Sequence, residues 1–423
     1  MNDIVGEGTD EGVGMKVLVI GAGLGGLALA QGLQRDGVDV QVFERRSDRT
    51  VGLQGYGLHL NEAGCAALRE CLPPAIWAEI DADAGYAGST AGFYDHRLRP
   101  LTRVGNGRQG SRRSISRLGL RDRLLEGMPA QRVRWGKEFT HYEQMPTGQV
   151  RAHFADGTHA DGDLLVGADA SNSRVRRQYL PDIARQDTGV LTIAGRTPLT
   201  ARATAGLPAE ILDGTPNSIV PAGSGWMFVC AWRTGTPPPV EHSAPAADGS
   251  YVVWAYIAHH AALPPEVTQW TPAALRDLAL SRMRSWAPAL TTLVGACDIT
   301  SVAPVTLRSM PELTAWPSSN VTLLGDAIHN MTPMAGVGAN TALRDAAELR
   351  RALRDVTSGR RDPVAAVAAY ETRMRAYANP AVAASRRNAR NAGSSARLPR
   401  TAFRTLLRAA DRAPPLKRAM FAS

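Results

Sequence analysis

The sequence predicts a mixed α/β chain, with a parallel sheet interleaved with a second, mixed sheet and followed by C-terminal helices. Three observations carry this. Short apolar β-rich runs that end in a glycine or an acid and lead into a turn and a helical pattern recur near residues 17, 164 and 321. From about residue 181 the pattern changes to aromatic-bearing strands separated by loops. After residue 380 it becomes basic and helical. With 423 residues the chain exceeds the roughly 250–300 at which single cores stop growing, so one interwoven unit or two domains is expected.

The first run, "VLVIGAGLGGLALAQGL" over 17–33, carries no charge. A secretory signal wants positive charge ahead of its apolar core, and here Asp3, Glu7, Asp10 and Glu11 precede it. A membrane helix wants about 20 mostly apolar residues, and Gly21, Gly23, Gly25, Gly26 and Gly32 argue against one. The remaining reading is a strand "KVLVI", a turn "GAGLGG" and a helix ending at Gly37. "VDVQVFERR" follows as a second strand, ending on Glu44 and Arg45. Gly21, Gly23 and Gly26 with Leu24 between them, then an acid 18 residues beyond Gly26, form the Rossmann-type dinucleotide fingerprint. Its glycines let backbone approach a pyrophosphate, and the helix N-terminus offers N–H groups and partial positive charge. Glu44 is placed to accept from an adenosine ribose.

Two later stretches complete the pattern. "GDLLVGADASNSRVRRQYL" (162–180) reads as a strand ending in Asp169, a small polar turn and an arginine-rich helix. "VTLLGDAIHNMTPMAGVGANTALRDAAELRRAL" (321–353) reads as a strand ending in Asp326, an irregular segment with Pro333, a glycine turn and a helix from about Asn340. Taken together over residues 17 to 349, these motifs resemble the class A flavoprotein monooxygenases, the para-hydroxybenzoate hydroxylase-like group. An arginine with leucines at helical spacing, "ISRLGLRDRLL" around Arg117, is a further match. One departure stands out: Ala170 occupies the place of the family's mid-chain glycine.

The resemblance implies a Rossmann-like FAD-binding domain with a parallel sheet (15–180 and 305–380), interleaved with a mixed-sheet substrate-binding domain (181–304). A disordered leader (1–14) and a basic helical tail (381–423) complete the division. It also implies cofactor contacts from Gly21, Gly23, Leu24, Gly26, Glu44, Arg45, Arg117, Asp169, Asp326, Pro333, Gly336, Gly338, Ala339 and Asn340. Asp326 would meet the ribityl–pyrophosphate part, Arg117 the phosphates, and the second glycine turn the isoalloxazine, with the dipole of its helix aimed at the flavin. The implied activity is an NADPH- or NADH-dependent monooxygenase. Through a flavin C4a-hydroperoxide it would use O2 to hydroxylate or epoxidise an aromatic, prenylated or polyketide-like small molecule of secondary metabolism. The rival readings are a flavin halogenase, a flavin dehydrogenase and a non-catalytic nucleotide-binding protein. No W-x-W-x-I-P halogenase signature occurs. No catalytic side chain is assigned; His59 and His329 stay without a role.

Trp226, Trp232, Trp254 and Tyr256 are candidates either for a pocket wall or for ordinary core. The net charge of +9 does not signal nucleic acid: residues 381–423 hold ten Arg/Lys against Asp411, and the remainder balances at 38 against 38. Cys65, Cys71, Cys230 and Cys297 are too few and scattered for a disulfide framework or zinc, so no metal site is expected and the protein reads as cytoplasmic. In the tail, Phe403, Leu406, Leu407 and Ala410 form one helical stripe, and Arg404, Arg408 and Arg412 another. The stripe suits docking on the protein body, or contact with a membrane surface. Oligomeric state is not legible.

Overall fold

The computed structural model describes residues 14–47, 57–86, 90–105, 113–233 and 249–421. The expected leader, apart from Gly14, and most of the Pro-rich loop after Arg233 lie outside them. Five parallel strands form the first sheet, in the spatial order Val321–Leu323, Leu164–Gly167, Lys16–Ile20, Asp39–Phe43, Val133–Arg134. Val17, Leu18 and Val19 are fully buried, as are Leu164, Leu165 and Val166. Strands covered on both faces read as continuous apolar runs, which is why the sequence announces them so plainly. Because the strands are parallel, Gly21, Glu44, Asp169 and Asp326 all emerge from one edge of the sheet.

Helix Leu24–Arg35 packs against helix Gly338–Thr357. The crossing is close: a Cβ on Gly25 would stand 2.7 Å from the Leu324 side chain and 3.2 Å from the Ala342 carbonyl oxygen. Further along, Arg350 lies over Gly32 and pairs with Asp36 through two 2.7 Å hydrogen bonds. The second helix begins two residues earlier than its sequence pattern suggests, with Val337 at its N-cap.

The second sheet has seven strands, in the order Asp298–Ser309, Gln186–Pro198, Tyr251–His259, Trp226–Trp232, Asn217–Ile219, Thr90–Tyr94, Pro100–Gly105. All its pairings are antiparallel except Asn217–Ile219 with Thr90–Tyr94. It therefore takes two strands from within 15–180, where sequence reading places only the first domain. The strand Asp298–Ser309 crosses the 304/305 division, and helix Pro363–Gly393 crosses the one at 380. Helices Pro272–Arg282 and Pro288–Gly295 close the outer face, where Leu275, Ala279 and Met283 meet Met227, Val229, Trp254 and Tyr256.

The tail docks. Helix Arg397–Arg412 buries Leu407 and Ala410 completely against Leu101, Trp226 and Ala389, while Arg404 and Arg408 turn to the buried Asp95 at 3.3 and 3.5 Å. Arg400 is itself buried and donates to the carbonyls of Gly225, Ala392 and Ser394. Among the described residues no helix is long and apolar enough to cross a membrane. All four cysteines are free, and burial pushes the Cys71 and Cys230 thiols up to about 12.

Candidate cofactor site

The site is built from three loops at the carboxyl edge of the parallel sheet. In the first, Gly21 has φ +113° and donates its N–H to the Phe43 carbonyl at 2.8 Å. A Cβ there would lie 2.4 Å from the Ala168 carbonyl oxygen, and one on Gly26 would lie 2.3 Å from the Gly21 oxygen. Both positions need glycine for the chain to fold on itself. Gly23 differs. It caps helix Leu24–Arg35 with no side-chain hydrogen bond, and a Cβ there would meet nothing within 4 Å. That glycine is not required by the protein's own packing, and it sits where the helix offers uncapped N–H groups.

Glu44 is buried and holds this loop: its carboxylate accepts from the Ala22 N–H at 3.0 Å and the Arg46 N–H at 3.1 Å. Arg45 is exposed beside it. Arg117 opens helix Arg117–Glu126 and is exposed, with Ser116 as N-cap. Sequence reasoning missed Arg121, one turn later. It is buried, donates to the Ala22 carbonyl at 3.3 Å, and lies over the Trp135 ring. Its place four residues after Arg117, on the same helix face, was the available signal.

The second loop follows Gly167. Asp169 accepts from the N–H groups of Arg174 (2.7 Å) and Val175 (3.3 Å), and so caps helix Arg174–Tyr179. Its other oxygen, Oδ1, is buried and has no hydrogen-bond partner. Burial raises this carboxyl's pKa, against the lowering effect of those hydrogen bonds. Ala170 has φ +64°, the left-handed region in which glycine is at ease and a methyl group is strained. The alanine thus holds a backbone shape that glycine would take without strain.

The third loop begins at Gly325 (φ +62°) and carries Asp326 with its side chain exposed. Pro333 starts a short turn to Gly336, at φ +65° with nothing within 4 Å of a notional Cβ; Val337 then caps helix Gly338–Thr357 with no side-chain hydrogen bond. Gly338 and Ala339 are half-buried. Asn340 faces the protein: its oxygen accepts from the Asn61 N–H at 2.8 Å and its amide donates to the His59 carbonyl at 2.9 Å. Its side chain is a clamp between the helix and strand Gly57–Leu60.

Two buried groups lock the loops together. Arg176 donates to the Ala327 carbonyl at 2.7 Å and to the Ser171 carbonyl at 3.3 Å, joining the second loop to the third. Asp345 accepts from the Gly325 N–H (2.7 Å) and the Tyr377 hydroxyl (2.6 Å), and pairs with His329 Nε2 at 2.6 Å. Burial alone would push the His329 pKa down; the charge and hydrogen bond of Asp345 outweigh it and hold it above the ordinary value. His329 is accordingly part of the scaffold.

Of the four aromatic wall candidates, Trp254 and Tyr256 point to the outer core, and Trp226 lies under the C-terminal helices. Trp232 sets its ring against Gly57. The alternation of the strands turns Phe228, Cys230, Val253 and Ala255 to the inner face, the face that Trp226 and Trp232 share, and there Cys230 Sγ is 3.7 Å from His59 Nε2. Three of these four positions are half-buried, as a pocket wall requires.

The donor set fits a flavin dinucleotide: two uncapped helix starts, a left-handed glycine turn, an exposed carboxylate at Asp326 and a buried orphan oxygen at Asp169. Comparisons with known proteins agree. The family pattern described as an FAD binding domain matches residues 14–63 and 120–385. The dual O-methyltransferase/FAD-dependent monooxygenase CTB3 of Cercospora beticola is 32% identical over 389 residues, covering 86% of this chain and 44% of that protein. The chain thus spans about half the length of the first curated relatives it matches. An FAD-dependent urate hydroxylase of Mycolicibacterium vanbaalenii is 25% identical, covering 85% of this chain and 84% of its own. Among solved structures, one from Photorhabdus luminescens, assigned to the FAD containing monooxygenases, superposes with a TM-score of 0.81 at 47% identity, over 89% of this chain and 98% of its own. Klebsiella pneumoniae HpxO, solved with FAD and uric acid, shares the fold (TM-score 0.77, 24% identity, 95% of each chain).

Proposed function

The chain belongs to the FAD-binding-domain family that FAD-dependent monooxygenases share, and from that premise we propose that it is an NADPH- or NADH-dependent monooxygenase acting on a flat aromatic or alkene-bearing small molecule. The observation that carries the reading is the convergence of two glycine turns some 300 residues apart on one sheet edge, each opening a helix without a side-chain cap. Bound FAD would supply two-electron redox chemistry and the activation of O2.

The residues divide the work. The N–H groups after Gly23 would hold the pyrophosphate, with Arg117 as its counter-charge. Glu44 has lone pairs left for a ribose hydroxyl, and Asp326 accepts from the ribityl chain. The backbone over Pro333–Gly338 would hold the ring system, and the open space beside Gly336 is left free for it. The positive end of helix Gly338–Thr357 would stabilise negative charge on a flavin ring held beside it. The inner face around Phe228, Val253 and Ala255 holds the substrate and excludes water. The relative named as an FAD-dependent urate hydroxylase favours a small, electron-rich ring as substrate.

The test is a visible spectrum of the purified full chain, followed by NADPH and NADH oxidation across a panel of phenols, purines and polyketides under air. Flavin absorbance and substrate-stimulated oxidation with O2 uptake are expected. A colourless protein that takes up no added FAD would overturn the reading. Turnover with a dye acceptor and no use of O2 would convert it to a dehydrogenase.

A further inference from the structure

Away from the cofactor loops, a three-stranded antiparallel sheet, His159–Gly162, Val150–Phe154 and Phe139–Gln144, packs Val150, Ala152 and Phe154 inward. The alternate positions make an outer face of His141, Glu143, Arg151, His153, His159 and Asp161. His141 stands directly across from His153, and Glu143 across from Arg151. Arg151 is taken up by Asp161 in a two-pronged pair at 2.7 Å, which leaves the Glu143 carboxylate to the imidazoles.

We propose that His141, Glu143 and His153 form a surface site for a transition-metal dication of the Zn2+ type. The two rings are parallel, with centroids 4.4 Å apart. Glu143 oxygens lie 3.7 Å from His141 Nε2 and 3.4 Å from His153 Nε2, and one ligand atom from each residue falls within 4.8 Å of the others. Ligands about 2 Å from a tetrahedral ion stand about 3.3 Å apart, so small rotamer shifts close the set. Two imidazoles and one carboxylate suit Zn2+, Ni2+ or Cu2+ rather than Mg2+ or Ca2+.

Two further features prepare the set for a cation. His153 Nε2 is shielded from solvent, yet it has no hydrogen-bond partner. The Thr140 hydroxyl donates its one hydrogen to the His153 carbonyl at 3.1 Å, so at its 3.1 Å contact with His141 Nδ1 it accepts. That fixes the proton of His141 on Nδ1 and turns the Nε2 lone pair to Glu143, the outer-sphere arrangement that metal-binding histidines use. The ion would staple strand Phe139–Gln144 to strand Val150–Phe154. The first of these also holds helix Arg174–Tyr179, through hydrogen bonds in both directions between Tyr142 backbone and the Gln178 amide.

The experiment is calorimetric titration of the full-length, FAD-loaded protein with ZnSO4 near neutral pH, alongside Glu143→Gln and the double variant His141→Gln/His153→Gln. These side chains are surface-facing, and unchanged circular dichroism and flavin content confirm folding. Wild type takes up one Zn2+ per chain with a rise in Tm, Glu143→Gln binds at least about tenfold more weakly, and the double variant loses the stoichiometric site. Cu2+ in its place gives an electron paramagnetic resonance signal split by two imidazole nitrogens, absent from the double variant. A wild type without one-equivalent binding, or a double variant that keeps it, overturns the proposal. Either outcome leaves the flavin reading untouched.

Discussion

Replacing Asp345 with asparagine tests the scaffold that holds the third loop. The buried carboxylate receives three short hydrogen bonds, from Gly325, Tyr377 and His329. The best orientation of an asparagine keeps its oxygen toward Gly325 and His329 and turns its NH2 to the Tyr377 oxygen, whose hydrogen then lacks an acceptor. Each of the three bonds falls from the charged to the neutral class, about 1 kcal/mol apiece, so the expected loss is about 3 kcal/mol. The loss depends on pH. His329 has its pKa raised by folding, so its contribution is fully present below the ordinary value of 6.5 and is lost as pH rises through the raised one. The deficit of Asp345→Asn is therefore larger near pH 6 than near pH 9. Urea unfolding of the FAD-free proteins at both pH values measures it, with exchange of the Gly325 amide as the local probe. A deficit below about 1 kcal/mol, or one that does not change with pH, refutes the assignment of Asp345 as a charged hub.

Gly21→Ala and Gly23→Ala separate folding from binding: the first forces a methyl onto the Ala168 carbonyl and prevents soluble expression, whereas the second keeps the Tm of the FAD-free protein and weakens flavin retention at least about tenfold, read by ultrafiltration. Ala170→Gly relieves a left-handed alanine and raises the urea midpoint by the equivalent of about 1 kcal/mol; an unchanged midpoint would mean that this turn carries no strain. In the tail, Leu407→Asp buries an unpaired carboxylate and costs about 3 kcal/mol or more, while Leu406→Asp, at a position 41% exposed, stays within about 0.5 kcal/mol in the same assay.

Four strands of the parallel sheet and its three loops were legible because Lys16–Ile20, Leu164–Gly167 and Val321–Leu323 are largely apolar, Asp39–Phe43 alternates, and each turn carries a glycine or acid; the two-residue Val133–Arg134 is too short to leave a pattern. The stripe of Phe403, Leu406, Leu407 and Ala410 was legible as a helix face, though only the structure shows that the protein body covers Leu407 and Ala410 and leaves Leu406 exposed. Other features depend on pairings that no local pattern encodes. Thr90–Tyr94 joins the second sheet because Asn217–Ile219 lies beside it, more than 120 residues later. Trp254 and Tyr256 occupy a strand with apolar residues on both faces, so alternation alone could not say which face meets the site. His329 met its partner sixteen residues on, across a turn and a helix start. Glu143 and His153 belong to different strands, which hid their proximity to a reading made motif by motif.

The order of the strands in space has a temporal consequence. Lys16–Ile20, the middle of the parallel sheet, is synthesised some 300 residues before the edge strand Val321–Leu323, with Leu164–Gly167 lying between the two in space. Until residues 325–345 are synthesised, the third loop and its partners Asn340 and Asp345 are missing, and the nascent chain holds half a cradle. Assembly of the full cradle thus waits for residues 321–345 and does not accompany the folding of residues 16–44 alone.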